Sequence, residues 1–106
     1  MSAEERVEIR YELTMPREFS IADFEKSVLE FARQEEEMAS AFKADTVAVE
    51  VDQQAEEFFV GGDVVIPIII GVVTGLTADA IKFIIKEKLL PHLMQRFGRN
   101  VLKERE

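Results

Sequence analysis

The sequence predicts a small α+β domain: a β-α-β unit with room for a short third strand, then a glycine-punctuated apolar helix and a helix kinked near Pro91. Three observations predict it. Apolar and polar side chains alternate over Val7–Leu13, and Val47, Val49 and Val51 alternate with Thr46, Ala48, Glu50 and Asp52, the period of a strand with one wet face. Between them, the segment behind Ser20 spaces its apolar residues three and four apart, as a helix does. Beyond them, Val64 to Ala78 is a run of 15 uncharged residues that passes into a lysine-bearing helical pattern.

In the first strand, 7–13, Val7, Ile9, Tyr11 and Leu13 alternate with Glu8, Arg10 and Glu12. Residues 14–18, with Pro16, form the connection. Ser20 can cap a helix over 20–37 whose third residue, Asp23, makes a weaker relative of the capping box, while Phe19 and Phe24 occupy the hydrophobic-staple positions. Ile21, Phe24, Val28, Phe31 and Ala32 form the inner stripe. The helix end is open: Met38 and Phe42 lie near the projected stripe, but Glu35 falls on its apolar side. Consecutive helical residues diverge, so Glu35, Glu36 and Glu37 read as solvated surface, not a metal site.

A second strand covers 46–52 and a short third one 57–60, ended by Gly61 and Gly62. A helical crossover between the first two strands implies a parallel, right-handed pair with the helix on its apolar face.

The run at 64–78 has two readings. Its β-branched residues suit a buried strand. Gly71 and Gly75, joined by Thr74 and Ala78, instead make a smooth helix face that another backbone can approach closely, with Asp63 as cap and Pro67 near the first turn. Helix is the expectation and strand the alternative. From Asp79 to Phe97 a helix follows, with Ile81, Phe83 and Ile85 in its buried stripe. At 100° per residue Leu89, Leu93 and Phe97 fall opposite that stripe, which predicts a change of sides and a kink near Pro91. Gly98 is the expected C-terminal cap, and the tail 99–106 reads as a frayed helix or an added edge strand.

Composition narrows function. A chain of 106 residues makes one domain, and the lack of cysteine removes disulfides and thiolate metal sites. The acidic start has no secretory pattern, so a cytoplasmic setting is expected, with membrane association as the alternative. Residues 1–63 carry 17 acidic and 6 basic side chains, residues 64–106 carry 4 and 7, and the whole is −8. Such a chain repels nucleic acid. Its basic surface, Lys82, Lys86, Lys88 and Arg96, suits an acidic partner, the acidic half of another copy, or an anionic membrane; a plain solvated helix face reads the same way.

Catalytic signals are sparse. His92 is the one histidine, beside Pro91, and neither GGDVVIP nor GVVTG matches a phosphate loop or dinucleotide fingerprint. Asp79 is either an early helix residue or a buried carboxylate with a raised pKa. No catalytic residue, metal or cofactor is expected, and the chain is read as non-enzymatic.

The order strand, helix, strand, then FFVGGDVVIPIIIGVVTGLTADAIKFIIKEKL, resembles small α+β effector-associated domains of bacterial conflict systems, of the effector-associated constant component type. The resemblance implies an accessory interaction module in a defence system and brings no catalytic residues. Two functional expectations follow. One is a protein-interaction or assembly module, a homo-oligomer or the binder of another protein, using the Gly71, Thr74, Gly75 and Ala78 face. The other is a membrane-active or membrane-anchored protein using Val64–Ile85, although a span needs about 20 apolar residues.

Overall fold

A computed structural model of the chain describes residues 5–41, 46–53, 56 and 58–105. The elements are β1 (Glu5–Pro16), α1 (Ile21–Gln34), α2 (Glu36–Ala41), β2 (Ala48–Val51), β3 (Phe58–Val60), β4 (Asp63–Thr74), α3 (Ala78–Ile84), a π-helical turn (Ile85–Leu89), α4 (Leu90–Phe97) and β5 (Leu102–Glu104). The α+β class is therefore as predicted. One antiparallel sheet runs β2-β4-β1-β5, and β3 also pairs with β4.

The apolar run is a strand. Residues 63–74 form β4, paired along its whole length with β1 from Glu5↔Thr74 to Pro16↔Asp63. A strand with neighbours along both edges is buried at nearly every position and loses its alternation, so its sequence looks like that of a buried helix. The β-branched composition decided for strand. Pairing puts Ile9, Tyr11, Leu13 and Met15 on one face with Ile70, Ile68, Ile66 and Val64, and this face carries the core. The other face sets Arg6, Glu8, Arg10 and Glu12 beside Val73, Gly71, Ile69 and Pro67.

The expected helix face of Gly71, Thr74, Gly75 and Ala78 does not form. Gly71 and Thr74 lie in β4, Gly75 in the turn after it, and Ala78 opens α3. Gly71 serves a different close approach: a Cβ there would meet the Arg6 guanidinium, which crosses the strand toward Glu50 of β2 at 3.6 Å.

The expected parallel neighbours are also corrected. β1 and β2 run in the same direction with α1 between them in sequence, but β4 is inserted between them in the sheet. Likewise β4 and β5 run the same way with β1 inserted. Two interlocked split β-α-β units result, the ferredoxin-like order of elements. Pro67 explains a break at one edge. Asp52 N–H donates to the Pro67 carbonyl at 2.8 Å, so the Pro67 nitrogen faces the same edge without a proton to give. There β2 ends, and among the described residues pairing resumes at β3, which leads into β4 through the Gly61-Gly62 turn with Gly61 at φ +60°.

Helix α1 begins as read. Ser20 Oγ accepts from Asp23 N–H at 3.2 Å and Asp23 Oδ2 accepts from Ser20 N–H at 2.8 Å, a complete capping box. It stops at Gln34, short of the expected 37, because Glu35 turns extended and its carboxylate accepts from Met38 N–H at 2.9 Å, starting α2. That break turns Met38 into the core while keeping Glu35 off the apolar side. The expected Phe42 position and Glu57, the start of the third strand, lie outside the described residues.

No change of sides occurs near Pro91. Ile81, Ile85, Leu89, Leu93 and Phe97 are all buried in one core. Spaced by four, they would drift about 40° per step around an α-helix. The π turn holds the extra residue that cancels part of this drift, and Leu90 N–H closes it on the Ile85 carbonyl. Phe97 ends the row against Phe19 and Phe24, with ring centroids 4.9 and 5.8 Å away. The expected staple thus closes through a third ring. Because Leu93 is fully buried whereas Met94 is 37% exposed, Leu93→Ala should cost about 3 kcal/mol and Met94→Ala less than about 1 kcal/mol in chemical denaturation.

Candidate interaction surface

One edge of the sheet is barely covered. β5 pairs with Tyr11–Leu13 only, so among the described residues no strand flanks the outside of β5 or of β1 over residues 5–9. Backbone donors and acceptors there have no strand partner among the described residues, which makes the edge a template for another strand.

Under this edge lies a groove of about 260 Å³ between the sheet and the α3–π turn segment. Tyr11, Ile85, Leu90 and Leu102 give it apolar walls, and Lys82, Lys86 and Glu104 rim it. Phe83 stands at its mouth, 63% exposed. The expected place of Phe83 in the buried stripe is corrected here: two residues from Ile81 and from Ile85, it faces away from both. Lys82 Nζ meets Glu104 Oε1 at 2.8 Å, tying α3 to β5. Lys86 has no ion-pair partner among the described residues.

The predicted basic surface is divided. Lys82 and Lys86, one helical turn apart, share the groove. Lys88 Nζ turns to Glu37 Oε2 at 2.9 Å, beside α2, and that carboxylate raises its pKa. Arg96 donates to the buried Ser27 hydroxyl at 3.0 Å and covers Phe97 and Phe19 at 5.5 and 5.9 Å, so it holds α4 to α1. His92 stacks on Phe31 at 4.4 Å, a packing contact between the same helices. Asp79 is exposed in the first turn of α3, whose cap is Thr77. Among the described residues no group of three or more acidic or histidine side chains could hold a metal.

Sequence reading missed the clasp that holds β5. Arg105 N–H donates to the Arg10 carbonyl at 3.0 Å, and its guanidinium reaches Asp52 Oδ2 at 3.1 Å beyond the end of β2. The Asp52 side chain is only 7% exposed and that of Arg105 26%. An ion pair this sheltered is expensive to break by deleting one partner, unlike the exposed Arg6–Glu50 contact. Asp52 looked like one more outward residue of an alternating strand, and no local signal links it to a residue 53 positions away. Asp52→Ala should destabilise the protein by about 2 kcal/mol and speed hydrogen exchange of the Thr14 and Arg105 amides that fasten β5.

Tyr11 gives the groove a spectroscopic handle, because the chain has one tyrosine and no tryptophan. Burial, helped by the Glu104 charge, raises its pKa above the usual tyrosine value. The folded state therefore favours the neutral phenol. Its contribution to stability is complete below the unfolded tyrosine pKa of about 10 and is lost as pH rises through the higher folded value. Alkaline titration should show phenolate absorbance appearing above the range of a free tyrosine, and returning to that range in denaturant.

No known protein family, curated protein or solved structure matches the chain. No helix among the described residues is long and apolar enough to cross a membrane.

Proposed function

We propose that this protein is a non-enzymatic interaction or assembly module that takes up a partner strand along the β5 edge. The observation that carries the reading is Phe83, a large aromatic left 63% exposed at the mouth of an apolar groove beside β5, whose outer edge pairs with no strand among the described residues. Backbone pairing along the edge supplies attachment, and the groove selects side chains. Exposed aromatics at such a pocket are typical anchors of binding energy.

The resemblance to effector-associated domains fits this role, that of an accessory component of a bacterial defence system working in the cytoplasm. The membrane-active alternative loses its main support, because most of Val64–Ile85 is committed to a paired strand and to the core stripe of α3. A photo-cross-linking phenylalanine analogue at Phe83, and separately at exposed Lys26 on α1, tests the reading in cells that make the protein. Position 83 should give a discrete protein adduct that position 26 does not. Absence of any adduct at 83 would count against the proposal.

A further inference from the structure

Both sheet edges, taken together, identify an occupant for this groove. The inference rests on the interaction reading and names its partner: we infer that a second copy of the chain docks its β2 edge against β5, head to tail.

Backbone direction comes first. Thr14 N–H donates to Val101 and Arg105 N–H to Arg10, which turns residues 101, 103 and 105 toward β1 and leaves the backbone groups of Leu102 and Glu104 facing outward. On the opposite edge, Asp52 N–H donates inward to Pro67, so Glu50 also faces inward while Val49 and Val51 face outward. Among the described residues the Val49 N–H meets only Glu25 Oε2 of α1, at 3.4 Å, longer than a good hydrogen bond.

Direction and face then agree. β2 runs with β1 and β5 against it, so two copies side by side with their helices on the same face bring β5 antiparallel to β2 of the second copy. The register Leu102↔Val51, Lys103↔Glu50 and Glu104↔Val49 uses all the outward groups of both strands. Leu102 and Val51 belong to the helical face, where they pair with Leu13 and Ile68, and Lys103 and Glu50 to the open face, beside Glu12 and Ile69. Docking therefore covers Val51, 43% exposed, with Leu102 and the Phe83 groove, and sets Lys103 against Glu50.

Charge selects this pairing over the symmetric ones. Two β5 strands pairing through the same outward groups oppose Lys103 to itself, and two β2 strands oppose Glu50 to itself; like charges directly opposite are destabilising. Only the heterologous pair brings unlike charges together. Such an interface propagates into a chain or closes as a ring.

Sedimentation of the full chain from about 10 µM to about 1 mM tests this. Wild type should grow beyond two chains with concentration. Phe83→Glu and Val51→Arg, both at exposed positions, should each weaken association about tenfold or more and stay near 12.1 kDa, while their equimolar mixture, joined through one intact edge from each, should settle at the mass of two chains. As a second set, Lys103→Glu and Glu50→Lys should each weaken assembly and their combination restore it. A wild type that stays at one chain, a Val51→Arg variant that still pairs, or a mixture that stays dissociated overturns the inference. An adduct from position 83 to a different protein would overturn self-docking while leaving the interaction reading standing; no adduct at all removes that reading as well.

Discussion

Everything in this fold depends on the register of β1 against β4, twelve residues each. That pairing sorts side chains into a face that must be covered and a face that can stay wet. Ile9, Leu13, Ile66, Ile68 and Ile70 together present an apolar surface wide enough for two helices, and α1 and the α3–α4 segment lie on it. A slip of one residue would move Arg10 and Glu12 under the helices and expose Tyr11 and Leu13. Burial of both charges would cost far more than any contact the slipped state could gain. Register is thus fixed by chemistry on both faces, and it also sets where each edge lies.

The helical layer must then match a row of core positions on a straight surface. Side chains spaced by four do this only if the helix is locally underwound, and the π turn at Ile85–Leu89 supplies that. Pro91 fits the same solution. It sits within the first turn of α4 on the exposed side, where its missing donor follows directly on the i→i−5 closure at Leu90. A regular α-helix would have carried the row further around its axis and turned Leu93 or Ile81 away from the sheet.

Local rules were legible and long-range ones were not. The β1 alternation and the Ser20 capping box depend on residues a few positions apart, so the sequence displays them directly. Glu35 also signalled its break, by falling on an apolar side where a carboxylate cannot remain. In β4 the decisive fact is the number of neighbours, and a strand packed on both sides shares its composition with a buried helix. Gly71 and Gly75 then looked like a helix face, although Gly71 is small to let Arg6 pass across a strand. Phe83 was misplaced because a wide apolar stripe hides which member is in excess. Asp52 and Arg105 meet only after the sheet is assembled. The basic side chains do not share one patch, because helical phase sends Lys88 and Arg96 to other neighbours than Lys82 and Lys86.

The same accounting explains why the β5 edge is both open and held. Three residues of ladder are too few to keep a strand in place by backbone bonds alone, since each contributes only about 1 kcal/mol net. Sheltered Asp52–Arg105 and the Lys82–Glu104 bridge add attachments that do not use the outward backbone groups. β5 is therefore fastened by its side chains, and among the described residues no strand pairs with its outer hydrogen-bonding row. A strand arriving on that row would bond to Leu102 and Glu104 and so stabilise β5 itself, and by linkage a change that orders β5 would strengthen docking by no more than the free energy that docking would otherwise spend on that ordering. Arg105, far from the groove in contact but at the end of the strand that forms its wall, would then set how much of the docking energy is spent on ordering the edge.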